Sequence, residues 1–308
     1  MASSSQYFNQ VTLLIKVLPY VFNEGCFCLK GGTAINLFIR DLPRLSVDID
    51  LVYTGLEDRH LASEQISFAL ERIKNSINNS GIRDSRVHTK VNKDGFIDKL
   101  FVQHNNVHVK IEPNFILRGV LFPVGRMRLT KSAESTFGLS LSDIPVLNIA
   151  EIYAGKICAA LDRQHPRDLF DVKLLYENEG ITREIVQSFV IYLASHNGAM
   201  HELLNPNMQD IASIFNQEFL GMTNSSVELE DLLRVRDRLV SDVRSNLTDN
   251  DKEFLVSIKS CKPRYDLMPF ENLHLMPALK WKLHNIHRME YAKRQEQMDL
   301  LKRVLYNS

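Results

Sequence analysis

The chain has 308 residues, 44% of them hydrophobic, and 37 basic against 37 acidic side chains, so its formal net charge is zero. That length suffices for two domains with real cores, and the charge balance excludes a general polycation: contact with nucleic acid would have to come from local asymmetry. No apolar run approaches the roughly 20 residues of a membrane span, and the polar start MASSSQYFNQ lacks a signal-peptide pattern, so a cytoplasmic protein with no membrane partner is expected. Cys26, Cys28, Cys158 and Cys261 follow neither a disulfide framework nor a zinc spacing and are expected to be small buried hydrophobes.

Along the chain, CFCLK (26–30) and VDIDLVY (47–53) read as strands, with a helix-like segment after the glycine pair between them. HLASEQISFALERIKNSINNSG (60–81) reads as an amphipathic helix ended by Gly81. SRVHTKV, KLFVQH and HVKIEPNF are further strands, the last two joined across Asn105-Asn106, a turn that tolerates positive φ. Near residue 145 the texture changes to helical periodicity: NIAEIYAGKICAALDR, PRDLFDVKLLYENEG and ITREIVQSFVIYLAS follow as helices. TNSSVELED and SNLTDNDKE read as polar connections, and PALKWKLHNIHRMEYAKRQEQMDLLKRVL as a terminal helix. The expected fold is α/β (α+β), with a mixed-sheet domain over 1–145 and a helical domain over 146–308.

The chemistry concentrates in LKGGTAINLFIRDLPRLSVDID (29–50). Gly31-Gly32, after a strand and before a helix, would leave backbone amides open to a phosphate, and Thr33 would cap that helix or add a hydroxyl donor. Such a pair more often only makes a turn. Asp48 and Asp50, two apart on a strand, project from one face while Ile49 and Leu51 pack on the other. Carboxylates that close repel unless a cation sits between them, and a hard divalent ion with phosphate ligands resolves the repulsion. An isolated pair of this kind would be a solvated strand face, but Glu112, on a neighbouring strand among apolar residues, adds a third acid. Three convergent acids suit a two-metal site.

The glycine pair, short helix, D-x-D and distant third acid resemble the nucleotidyltransferase fold shared with DNA polymerase β. KGGTAINLFIR with RLSVDIDL, together with EIYAGKICAALDRQHPRDLFDVKLL and PALKWKLHNI, is similar to the AbiEii/AbiGii toxin family of type IV toxin–antitoxin and phage-defence (abortive infection) systems. The resemblance implies a polymerase β-like nucleotidyltransferase domain joined to a helical domain that completes the active-site cleft. It implies Mg²⁺ (or Mn²⁺) held by Asp48, Asp50 and Glu112, an NTP substrate, a tRNA 3′ end as acceptor, and a cognate antitoxin. Some relatives carry Gly-Ser where this chain has Gly31-Gly32-Thr33. From the second signature it implies that Lys156 binds the nucleotide phosphates and that Asp168 acts as a base or orients Lys156.

By the residues alone, Lys156 lies on a helix with apolar Ile149, Ile152, Tyr153, Ile157 and Ala160 and would reach a triphosphate as a mobile charge, or be an ordinary solvated lysine. Asp168 and Asp171 share a helix face, and Asp171 is expected to pair with a nearby arginine. Arg40 and Arg44 lie where a triphosphate would sit, or solvate a loop. Ser46 shares the face of the aspartates, so a phosphate there would repel the substrate; the plainer reading is that it caps the loop. His104 and His108 flank the hairpin turn without a metal-ligand pattern. Lys280, Lys282, Arg288, Lys293 and Arg294 form a basic strip for RNA, or the wet side of a packed helix with Trp281 in the core. Three other functions remain open: nucleotidylation of a protein or small molecule, a non-catalytic nucleotide-binding module, and a phosphotransferase, although no kinase catalytic-loop pattern occurs.

Overall fold

The computed structural model describes residues 2–82, 84–223 and 226–306, with 2–5 as backbone only. The chain divides into two compact units, one of Met1–Asn148 with Leu220–Ser226 and the other of Ile149–Phe219 with Val227–Ser308.

The first unit is a seven-stranded mixed sheet with the spatial order β3-β4-β5-β2-β1-β7-β6. Helix α1 (Ala2–Phe22) precedes β1 (Phe27–Lys30), α2 (Gly31–Ala34), β2 (Asp48–Tyr53) and α3 (Arg59–Asn78). Strands β3 (Ser85–Val91), β4 (Ile97–His104) and β5 (Val107–Asn114) follow, then β6 (Gly125–Met127), α4 (Lys131–Phe137) and β7 (Ile144–Val146). β2 pairs with β5, and β1 with β7, in parallel; the other pairings are antiparallel. Leu29, Ile49, Leu51, Leu100, Val102, Val109 and Ile111 are fully buried, and α1 and α3 pack on the sheet. Because side chains alternate along a strand, that packing leaves Asp48, Asp50, Lys110 and Glu112 together on the opposite face.

Several local expectations hold. Asn105 turns the β4–β5 hairpin at φ +51°. Others do not: α3 ends at Asn79, whose N–H donates to Asn75 O, so Gly81 is not its cap. Asp58 opens that helix by accepting from the amides of His60 and Leu61. Leu220–Ser226 belong to the sheet unit, where Arg44 bridges Thr223 and Leu45 N–H donates to Met222 O, so Thr223 does more than begin a connection.

The second unit is helical: α5 (Ile149–Asp162), α6 (Pro166–Glu177), α7 (Arg183–Ser195), α8 (Met200–Leu204), α9 (Ala212–Ile214), α10 (Leu229–Ser245), α11 (Asp249–Lys259), α12 (Pro277–His287) and α13 (Tyr291–Tyr306). Thr248 and Asp251 form a capping box that starts α11 inside the segment expected to be a polar connection. The terminal helix is two helices. Trp281 is only partly buried and stacks on His284 at 5.7 Å, so it is not core. Lys282 is 8% exposed and donates to the carbonyls of His196 (2.6 Å) and Gly198 (2.7 Å) at the end of α7, which removes it from the basic strip. Burial, with Lys259 nearby, pushes its ammonium down to about 8. Lys280, Arg288 and Lys293 are exposed.

All four cysteines are thiols; Cys28 and Cys158 are buried, while Cys26 and Cys261 are only partly so. No helix among the described residues is long and apolar enough to cross a membrane.

Candidate active site

The glycine pair is explained by what crowds it. Gly31 has φ +71°, and a Cβ there would stand 2.6 Å from Asp50 Oδ2; a Cβ on Gly32 would stand 2.8 Å from Arg44 Nη2 and 2.9 Å from Ser46 Oγ. The turn therefore needs glycine twice, once for backbone conformation and once for space. After α2 the chain continues as a π-helical turn, Ile35–Ile39, closed by Arg40 N–H donating to Ile35 O at 2.7 Å. Single π turns often accompany functional sites, where they re-aim the side chains around them.

Thr33 neither caps this helix nor offers a free donor. It is fully buried, its hydroxyl donates to Asp48 O at 2.5 Å, and Ser46 Oγ lies 3.0 Å away. Ser46 is itself buried, so it does not cap an open loop. Thr33 and Ser46 instead tie the glycine turn to the start of β2. Arg44 is buried, with Nη1 donating to Leu45 O at 2.9 Å, and so does not solvate a loop; Arg40 is partly buried.

The strand register assembles the charged face. Lys30 pairs with Asp50 across β1–β2, Asp50 with Glu112 across β2–β5, and Asp48 with Lys110 two residues along. Glu112 is claimed by lysines: Lys110 Nζ lies 2.7 Å from its Oε2 and Lys99 Nζ contacts its Oε1, while Lys110 is 3.9 Å from Asp48 Oδ1. Burial raises the Glu112 carboxyl, but the two ammoniums outweigh it and hold it below its usual range. Burial lowers Lys110, and Glu112, Asp48 and Asp50 outweigh that and raise it. Beside these groups is a cavity of about 330 Å³ lined by Lys30, Asp50, Asp98, Lys99, Glu112 and Asn114, among others. Asp98 Oδ1 is shielded from solvent there without a hydrogen-bond partner.

Among the described residues, no group of three or more His, Cys, Asp or Glu side chains stands in position to hold a metal ion. Asp48 and Asp50 nevertheless fit a hard cation: both supply oxygen, both lie on one strand face, and Gly31 keeps the space against Asp50 Oδ2 free of a side chain. Glu112, on the same face, is paired with Lys99 and Lys110 instead. His104 and His108 take no part.

Lys156 is not a mobile surface charge. Helix α5 is buried on nearly all sides, and Lys156, 8% exposed, has its ammonium 2.7 Å from Asp168 Oδ1 and 3.0 Å from Asp171 Oδ2. Asp171 thus pairs with the lysine. Arg163 Nε binds the second oxygen of Asp168 at 2.7 Å. Burial pushes the Asp168 carboxyl up, but Lys156 and Arg163 prevail and hold it well below the ordinary carboxylate range. His165 sets this geometry by capping α6, its Nδ1 accepting from Arg167 N–H, with Pro166 in the first turn.

Sequence reasoning missed Lys99 and Lys110. Period-two alternation around Glu112 in HVKIEPNF would have placed Lys110 on the acid's face.

A family model described as nucleotidyl transferase AbiEii toxin, type IV TA system, matches residues 12–285. The chain belongs to the AbiEii toxin family. It is a nucleotidyltransferase toxin of the abortive-infection type, which entails an NTP substrate and an antitoxin partner. The fold agrees with MenT4, a nucleotidyltransferase toxin from Mycobacterium tuberculosis H37Rv, at TM-score 0.63 and 14% identity over 99% of this chain and 95% of that one. No curated protein sequence matches the chain. The glycine turn and the Asp48/Asp50 strand both fall inside the AbiEii match, as does the Lys156–Asp168 pair.

Proposed function

We propose that this AbiEii toxin transfers a nucleoside monophosphate from an NTP to the 3′ end of tRNA and so blocks translation. The observation that carries the reading is the shared face of Asp48, Asp50 and Glu112 beside the Gly31-Gly32 turn. In the reaction, an acceptor hydroxyl attacks the α-phosphorus, the new P–O bond replaces the bond to the β-phosphate, pyrophosphate leaves, and the hydroxyl proton passes to a base or to solvent. Asp48 and Asp50, with Glu112, would hold Mg²⁺ or Mn²⁺, which when bound polarises phosphate oxygens and offsets the charge of the leaving group. The glycine turn would take phosphate oxygens on its backbone amides, with Arg40 adding positive charge and Thr33 and Ser46 keeping the turn in place. Lys156 is assigned to the phosphates and Asp168 to orienting it; in support, two carboxylates fix the direction of that ammonium.

The acceptor is tested by incubating the purified protein with each of four α-³²P-labelled NTPs, Mg²⁺, and total tRNA or total protein. Label at tRNA 3′ ends, abolished in a folded Asp50→Asn variant, is expected. Label on protein alone would overturn the acceptor, and full activity of Asp50→Asn would overturn the site.

A further inference from the structure

The third carboxylate of the face is already occupied. Both oxygens of Glu112 are taken, Oε1 by Lys99 from β4 and Oε2 by Lys110 from its own strand, and Lys110 leans toward Asp48 as well. All three side chains are partly exposed, between 27% and 29%, so the pairs sit at the edge of solvent and can open. The strand pairing explains why they meet: Leu100 lies opposite Ile111, which brings Lys99 opposite Glu112 on the same face. A carboxylate with two ammoniums is neutralised and has little to offer a divalent ion until they leave.

We propose that Lys99 and Lys110 are resident counter-ions of Glu112 that a divalent cation must displace, so that the lysines set how tightly the third carboxylate joins the metal. Without them, three acids within one small face would repel each other whenever the site is empty. With them, two of the three negative charges are offset while the site is empty, and loading it exchanges two ammoniums for one dication of the same total charge and frees both lysines. Lys99 then lines the cavity beside Asp50 as a cation without its acid. This inference rests on the metal reading of Asp48 and Asp50.

The test is Mn²⁺ binding to the full-length protein, followed by electron paramagnetic resonance of free Mn²⁺ with no nucleotide present, for wild type, Lys99→Met, Lys110→Met, Lys99→Arg, Glu112→Gln, Asp50→Asn and the double variant Lys99→Met/Glu112→Gln. Each lysine-to-methionine change should tighten Mn²⁺ roughly fivefold, the upper range for a partly exposed ion pair, while Lys99→Arg, which keeps the pair, should stay near wild type. In the Glu112→Gln background, Lys99→Met should give no gain. A gain of equal size in that background would mean that Lys99 acts only as a nearby positive charge, and unchanged or weaker binding in both methionine variants would mean that the lysines do not compete; either result overturns the exchange. Failure of the metal reading looks different: Mn²⁺ binding would be absent or indifferent to Asp50→Asn.

Discussion

Replacing Lys156 by methionine removes the ammonium from between two carboxylates that are almost wholly buried, Asp168 at 1% and Asp171 at 0% exposure. Arg163 still reaches Asp168, but from a side chain that is 61% exposed, and Asp171 loses the ammonium 3.0 Å away. Removing one partner of a buried ion pair costs about 3–5 kcal/mol, because the charge left behind has lost both water and its counter-ion. The cost should depend on pH in a defined direction. In the wild type the Asp168 carboxyl lies below its unfolded value, so its contribution to stability is present above the ordinary carboxylate range and is lost as pH falls through the folded value. In Lys156→Met the larger of the two depressing charges is gone and only Arg163 remains, so the deficit should be largest at neutral pH and should shrink as acid neutralises the buried carboxylates. Trp281 is the chain's one tryptophan and sits in the helical unit, so urea unfolding followed by its fluorescence reads the transition. A deficit under about 0.5 kcal/mol at neutral pH, small against the buried-pair cost, or one that grows on acidification, would refute the stabilising role of the triad.

Gly31→Ala should cost about 1–2 kcal/mol for a left-handed backbone carrying a Cβ, and should also reduce nucleotide transfer, because that Cβ meets Asp50 Oδ2; wild-type transfer kinetics in a folded variant would contradict the geometry. Lys280→Glu combined with Arg288→Glu and Lys293→Glu should leave the melting temperature unchanged while weakening tRNA transfer, with the slope of log affinity against log salt falling by about 0.7–0.9 for each phosphate that is no longer neutralised. Lys282→Glu alone should unfold the helical unit more readily by several kcal/mol, on the order of the cost of a buried unpaired charge, because it sets a carboxylate against two carbonyls; equal melting temperatures for Lys282→Glu and Lys280→Glu would refute this.

Spacing alone was enough for much of the sheet unit. Alternation in VDIDLVY placed Asp48 and Asp50 on one face with Ile49 and Leu51 behind them, and Asn105-Asn106 located the hairpin, because both are properties of a few consecutive residues. The three-residue strands β6 and β7 are too short to show a period. Helix α1 went unread because its first residues are polar and its remainder packs against the sheet.

What local spacing does not contain is how polar groups divide between ligand and fold. Thr33, Ser46 and Arg44 read as phosphate-binding groups or as caps and loop polars, yet all three are buried against the glycine turn, where unpaired they would be costly. Lys156 reads as solvated because helical periodicity assigns one wet face, whereas packing buries α5 on nearly all sides and sets its ammonium on Asp168 and Asp171. Lys282 and Lys280 are indistinguishable as letters; the end of α7 draws one into its carbonyls and leaves the other in solvent. The sequence by itself determined the strand–glycine–helix–strand order of residues 26–53 and the shared face of Asp48 and Asp50. Only the tertiary structure decided that Lys99 also meets Glu112, since that contact joins two strands through a register that no local pattern specifies.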